Sequence, residues 1–513
     1  VQQRNIVRAA GVVGGATLVS RILGYARDMV IAYFFGTASS ADAFFVAFRI
    51  PNLFRRLFAE GSLTVAFIPT FSKYLVKESK KDALEFANVI FTFLSIILAV
   101  LCCLGIAFSP FIIKLMAWGF VNDPSKFDLT VLLTRIMFPY IFFISLVALC
   151  MGILNSFKHF AAPSLSPVLL NISIILSAVF LMPYLSQPIL SLAVGVIAGG
   201  IFQIALQIPF LKKKGVKLRF NFNFSHPGLR RLLKLMIPAV FGAAVYQLNI
   251  MIITLIASFL PAGSVSYLYY SDRVFQFPLA LFGLALATAS LPTMSDLVAH
   301  NRIEELKKTL SYSLRMVLFI TVPAMVGLIL LRIPIVTLLF QRGVFTENSS
   351  FLTAQALLFF SVGLWAVAGV RVVVNVFYAM QDIWTPVKVA TVSIAFNLVL
   401  CLLLMKPLNH SGLALAVSLS AIINLMLLLV ILRMRLGRLG IKHICYSLGK
   451  VVISSVIMGC VVFYSYDTFS FLGVVPLIIS ILLGITVFIV CSYILRCTEL
   501  LSLWEYIKSG KNK

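Results

Sequence analysis

Apolar stretches of twenty residues or more recur from one end of this 513-residue chain to the other. Backbone polar groups that enter lipid must be satisfied within their own segment, which leaves helices as the form such stretches take. A crossing needs about 20 consecutive apolar residues. We place fourteen spans at roughly 9–35, 42–72, 84–108, 129–155, 164–183, 188–211, 231–259, 265–294, 309–331, 349–379, 384–404, 411–435, 446–466 and 472–496, each boundary good to about four residues. Only 12% of residues are charged, half the share usual in soluble domains. The expectation is an all-α polytopic membrane protein with no separate soluble domain. The first span carries Arg21, Arg27 and Asp28 in its interior and has no small-residue cleavage site, so it reads as a retained helix.

A net charge of +25 could suggest nucleic acid, but its distribution argues against that. On the fourteen-span layout the Lys and Arg residues gather at the N-terminus, in the even-numbered loops and at the C-terminus. Only Lys114, Lys126, Arg332, Arg342 and Lys406 fall in odd-numbered loops. By the positive-inside rule both termini are cytoplasmic. The basic excess is then topology plus attraction to anionic lipid headgroups, and nucleic acid is not a partner. The cysteines lack a C-x-x-C spacing and the histidines are scattered in or beside loops, so the sequence contains no metal-ligand set.

An offset of 223 residues relates distant parts of the chain. Pro69-Thr70-x-Ser72 recurs as Pro292-Thr293-x-Ser295, Pro163 as Pro386, and Leu192-Ala193-Val194 as Leu415-Ala416-Val417. Six spans separate the copies, an even number, so the halves share one orientation. We expect two parallel, pseudo-symmetric six-helix lobes plus two C-terminal helices: residues 1–215 (spans 1–6), 216–440 (spans 7–12), and 441–513 (spans 13 and 14 with a cytoplasmic tail). The cargo site is expected between the lobes. At the same offset Arg49 matches Asp272 and Ile50 matches Arg273, so the second and eighth spans carry charge at equivalent depth.

Eight arginines lie inside apolar spans: Arg21, Arg27, Arg49, Arg55, Arg56, Arg135, Arg273 and Arg371. A cation at the bilayer centre costs about 2.5–3.5 kcal/mol on insertion scales, so such residues face a cavity or a partner. Some only clamp helices: Asp28 reads as an ion-pair member, Glu60 follows Arg56 at i+4, and Asp42 near the outer surface reads as a cap or gate. Arg135 sits where it can snorkel to the outer interface. Yet the first, second and eighth spans hold six arginines against the four carboxylates Asp28, Asp42, Glu60 and Asp272. Uncompensated positive charge in low dielectric calls for an anion. Arg21, Arg27, Arg49, Arg55 and Arg273 are the expected cargo contacts; Asp28, Asp42, Arg56, Glu60, Asp272 and Arg371 are expected to hold or gate the structure. Guanidinium grips phosphate and carboxylate oxygens bidentately, which suits an anionic lipid headgroup and not a cationic drug. Pro51 should kink the second span and Pro278 lies downstream of the charges in the eighth. Residues 212–234 alternate polar and apolar and read as an interfacial connector.

At SRILGYARD (20–28), ADAFFVAFRIPNLFRRLFAEG (41–61), SYLYYSDRVFQFP (266–278) and FYAMQDIWTPVK (377–388) the chain closely resembles the MurJ (MviN) family of bacterial lipid II flippases, in the multidrug/oligosaccharidyl-lipid/polysaccharide exporter superfamily. The resemblance runs over essentially the full length. It implies that the protein is no enzyme but moves the undecaprenyl-pyrophosphate-linked peptidoglycan precursor, lipid II, across the inner membrane of a bacterium. It also implies a cationic cavity containing Arg21, Arg27, Arg55 and Arg273, a groove for the lipid tail along spans 13 and 14, and transient contact with cell-wall synthesis enzymes. Some members bind sodium through an aspartate in the seventh span; here that span offers only Asn249 and Thr254. No cofactor is expected, and coupling to membrane potential or to a monovalent cation stays open. The rival readings are a flippase for another polyprenyl-linked saccharide, a cation-coupled drug antiporter, and a membrane glycosyl- or phosphotransferase.

Overall fold

The computed structural model describes residues 2–56, 63–280, 284–468 and 475–502. Among them there is no β-strand; the chain is a succession of helices that forms two compact units. The first unit comprises residues 1–266 and 342–345, the second 267–341 and 346–513. The chain passes from one to the other inside a single helix, between Ser266 and Tyr267.

Unit 1 contains α1 (Gln2–Phe35), α2 (Ser39–Phe54), α3 (Leu63–Lys77), α4 (Lys80–Ala107), α5 (Ser109–Met116), α6 (Pro124–Met137), α7 (Tyr140–Ser156), α8 (Ala161–Phe180), α9 (Leu190–Lys213) and α10 (Pro227–Ala257). Side-chain caps set where several of these start. Ser79 accepts a bond from the Asp82 amide at 3.2 Å, and Asp123 accepts from the Lys126 amide at 3.2 Å. Helices α8 and α9 pack closely because glycine lets their backbones approach: a Cβ at Gly195 would come within 2.8 Å of the Ile174 Cα. The connector between α9 and α10 lies along α4. Its Arg219 amide donates to Asn88 Oδ1 at 2.9 Å and its Asn221 amide to Thr92 Oγ1 at 2.8 Å.

Helix α11 (Ser264–Pro278) leads into unit 2, which continues with α12 (Leu284–Ala299), α13 (Ile303–Leu330), α14 (Arg332–Phe340), α15 (Glu347–Val362), α16 (Leu364–Ala379), α17 (Trp384–Leu436), α18 (Ile441–Thr468) and α19 (Val475–Ile494). Here α18 and α19 pack on α13 through Phe319, Val322, Val451, Met458, Val462 and Phe488. The chain beyond α19 turns back, and the fully buried Glu499 pairs with Arg315 of α13 at 3.0 Å. That bond fastens the last two helices to the rest of the unit.

The 223-residue offset seen in three short motifs governs whole elements. Helix α4, Lys80–Ala107, recurs as α13, Ile303–Leu330, with both ends displaced by the same interval. The cap of α6, Asp123, recurs as the cap of α15, Thr346, and the left-handed residues Lys158 and Gln381 stand at matching turns. Both proline-bearing helices change winding within one residue of matching places. Residues 55–56 and 279–280 take the wider π form, a turn that favours bending. In α17 the match is with two helices: Asn409, at φ 49° and ψ −134°, breaks its 53 residues where the first repeat has the loop between α8 and α9.

Among the described residues eight helices are long and apolar enough to cross a bilayer, or nine if α15 and α16, bent by 41°, count as one. The molecule is therefore an all-α, multi-span membrane bundle. Helix α17 counts as one of these, and α1, α2 and α11 are not among them.

Outside the spans, Asp382 anchors the start of α17. The Thr385 amide donates to it at 3.0 Å, the Thr385 hydroxyl at 2.6 Å, and Arg435 completes the cluster. Burial pushes the carboxyl up, but the bonds from Thr385 and Arg435 outweigh it and hold the acid down to about 2. A depressed carboxyl contributes stability above its unfolded value near 3.8 and loses it as pH falls through about 2. Thermal unfolding of the wild type between pH 4 and pH 2 should therefore show an acid-side loss that Asp382→Asn reduces; identical pH profiles would contradict this.

Candidate functional site

In unit 1 the charges sort by depth. Near the end of α2 where the helix begins, Asp42 is buried with four donors around it. They are Lys126 Nζ at 2.8 Å, the Gly263 amide at 2.8 Å, the Ser266 amide at 2.9 Å and the Ser266 hydroxyl at 2.6 Å. The Lys126 ammonium is itself buried and lies 4.1 Å from the Phe120 ring centroid. One carboxylate thus ties α2, the start of α6 and the chain entering α11 together. Sequence reasoning missed Lys126, which read as a loop charge. Its rarity as a basic residue in an odd-numbered loop was the available signal.

Deeper in the unit, Arg27 and Asp28 of α1 are both buried. Arg27 Nε and Nη2 reach Asp28 Oδ1 at 3.0 and 2.7 Å, and Nη1 donates to Asn171 Oδ1 of α8 at 3.1 Å. Asn171 in turn donates to the Ser20 carbonyl at 3.1 Å. The guanidinium is thereby held in one orientation across the α1–α8 contact. Arg21, two turns earlier on α1, is exposed.

On α2, Arg49 donates to the Thr254 hydroxyl and to the Ile250 carbonyl, joining α2 to α10. Thr254, one of two polar candidates for a cation in the seventh span, faces a guanidinium, which would repel a bound cation. Arg55 Nε donates to Asn52 Oδ1 at 3.3 Å and, with Arg56, occupies the π turn. Both are half-buried. Glu60, expected to pair with Arg56, lies outside the described residues.

In unit 2, Arg273 of α11 is half-buried, donates to the Tyr269 hydroxyl at 2.9 Å and lies 4.9 Å from that ring's centroid. Asp272 accepts from Gln276 one turn on. Arg371, half-buried, lies within α16.

Lys126 alters the charge count made from sequence. Asp42 answers a lysine outside the set of six arginines. Among the described residues no group of three or more His, Cys, Asp or Glu could hold a metal ion.

A multi-span helical bundle with basic side chains set into its membrane helices is the frame of a membrane transporter. Solved structures agree on the fold. A multidrug resistance MATE family transporter in its inward-facing conformation superposes with a TM-score of 0.67 at 13% identity, covering 84% of this chain and 98% of that one. The structure of a lipid II flippase MurJ in an inward closed conformation superposes with a TM-score of 0.81 at 29% identity, covering 94% and 98%. The lipid II flippase MurJ of Burkholderia cenocepacia is 39% identical over 435 residues, 84% of each chain. A MurJ relative from Vibrio cholerae is 36% identical over 476 residues, 91% of this chain and 90% of its own. The profile of the family described as Lipid II flippase MurJ matches residues 31–484. The chain belongs to that family.

Proposed function

We propose that the protein is a lipid II flippase, carrying the polyprenyl-pyrophosphate-linked peptidoglycan precursor from the inner to the outer leaflet of a bacterial cytoplasmic membrane. Family membership carries this reading, and the excess of guanidinium on α1 and α2 supplies its chemistry. Arg21, Arg27, Arg49, Arg55 and Arg273 take the pyrophosphate and nearby carboxylates of the headgroup, while the tail stays in lipid along α18 and α19. Asp28, Asp42, Asp272, Arg56, Glu60 and Arg371 hold the helices or release them. The π turns after Pro51 and Pro278 are where α2 and α11 bend as access alternates.

The helix boundaries that repeat at 223 residues support fourteen crossings: each half contributes six, and α18 and α19 add two. In this reading residues 1–215 and 216–440 are the two lobes, residues 441–513 carry the tail groove, and both termini are cytoplasmic. An inside-negative potential favours outward movement of the anionic headgroup by about 2.3 kcal/mol per charge per 100 mV. Potential or a monovalent cation then drives the cycle, and enzymes of cell-wall synthesis are transient neighbours.

Leaflet exchange in proteoliposomes tests the substrate. Lipid II should exchange, and a polyprenyl-linked sugar lacking the pentapeptide carboxylates should exchange at least about tenfold more slowly, a difference of roughly 1.4 kcal/mol. Faster exchange of the second lipid would assign the protein to another saccharide.

A further inference from the structure

A cavity of about 320 Å³ in unit 1 belongs to none of the charged positions described above. Its walls are apolar throughout, among them Ile50 and Phe54 of α2, Leu104 of α4, Ile112 of α5 and Met251 of α10. Gly105 lines it, and the Phe138 ring packs so closely on that glycine that a Cβ there would fall 1.9 Å from a ring carbon. At the matching place in the second repeat stands Leu328, which is buried. Leu104, Phe108 and Leu115, which also line the cavity, are half or more exposed and form its mouth.

A cation stands at that mouth. Arg135 is exposed, and its Nε donates to Ser109 Oγ at 3.0 Å, beside Phe108. Arg135 makes no ion pair among the described residues, and its two Nη groups are available to an anion. It precedes the end of α7 by about 30 Å of helix, close to one hydrocarbon thickness. It therefore sits at the interface opposite the Lys80 end of α4.

We propose that this cavity is a phospholipid site: an acyl chain fills it and the phosphodiester rests on the Arg135 guanidinium. An apolar slot opening between exposed leucine and phenylalanine side chains takes hydrocarbon, and a guanidinium at an interface takes phosphate oxygens. The chain packs beside Ile50 and Met251, neighbours of the Arg49 and Ile250 that join α2 to α10. A bound lipid thus braces the contact that positions Arg49. That the leaflet is the outer one rests on the topology proposed above; the site itself does not.

Photolabelling tests it. The full-length protein is reconstituted with a phosphatidylglycerol carrying a diazirine on one acyl chain, irradiated and digested. Adducts should concentrate on residues 101–116, above the density on the exposed face of α19 at Leu482 and Ile485. Ile112→Trp, which fills the cavity, should cut the 101–116 adducts about tenfold while leaving those on α19 unchanged. Arg135→Gln, at an exposed position that tolerates change, should cut them several-fold when phosphatidylglycerol competes with unlabelled phospholipid. Labelling of 101–116 no denser than that of α19 would overturn the proposal. So would adducts unaffected by both variants, or labelling by a polyprenyl-phosphate probe in preference to the phospholipid. Because adduct formation needs no transport, a failure of lipid II exchange would leave this result standing, and the reverse.

Discussion

Asp42→Ala should destabilise the protein by about 3–5 kcal/mol, the usual cost of stripping one partner from a buried ion pair. The substitution leaves the Lys126 ammonium, 8% exposed, without its carboxylate, and it orphans the Gly263 amide together with the amide and hydroxyl of Ser266. The ring of Phe120 beside Lys126 is too weak an attraction to make up the difference. Adding Lys126→Met should recover a large part of the loss, since apolar replacement of both partners removes the stranded charge. Thermal unfolding of the two variants in detergent measures this coupling directly. Additive effects of the two substitutions would show that the ion pair does not hold this end of α2.

The second large effect is on transport. Arg273→Ala should leave a folded protein in the membrane and lower lipid II exchange at least about 100-fold, equivalent to roughly 2.7 kcal/mol. Arg273 is half-buried, and its bond to the Tyr269 hydroxyl and its contact with that ring both lie within α11. Arg273→Lys distinguishes charge from shape: it keeps the cation but loses the planar fork, and should retain part of the activity. Arg27 is a less clean position for such an experiment. Removing it takes a guanidinium partner from the buried Asp28 carboxylate and breaks the bond to Asn171, so lost transport could follow from lost structure. Wild-type exchange by the folded Arg273→Ala variant would remove Arg273 from the cargo contacts.

The repeat was legible because it preserves local signals: a P-T-x-S motif inside α3 and again inside α12, and a proline in the first turn of α8 and again in the first turn of α17. The π turns near 55 and 279 were half legible: proline marks the weakened helix but not the residue at which the winding changes. Long-range partners were not legible at all. Lys126 is 84 residues from Asp42, and Asn171 is 144 from Arg27; no spacing rule links residues on helices that meet only in three dimensions. The Arg135 site was invisible for the same reason. Its cavity is lined by α2, α4, α5 and α10, which are distant in sequence.

The central claim is that positive charge on α1 and α2 holds an anionic lipid headgroup during its passage. The most direct measurement is lipid II exchange by proteoliposomes carrying Arg21 and Arg55 replaced together, once by Lys and once by Gln. Arg21 is exposed and Arg55 half-buried. The lysine pair should keep measurable exchange and the glutamine pair should lose it. Exchange at the wild-type rate by the glutamine pair, with the protein folded and inserted, would contradict it.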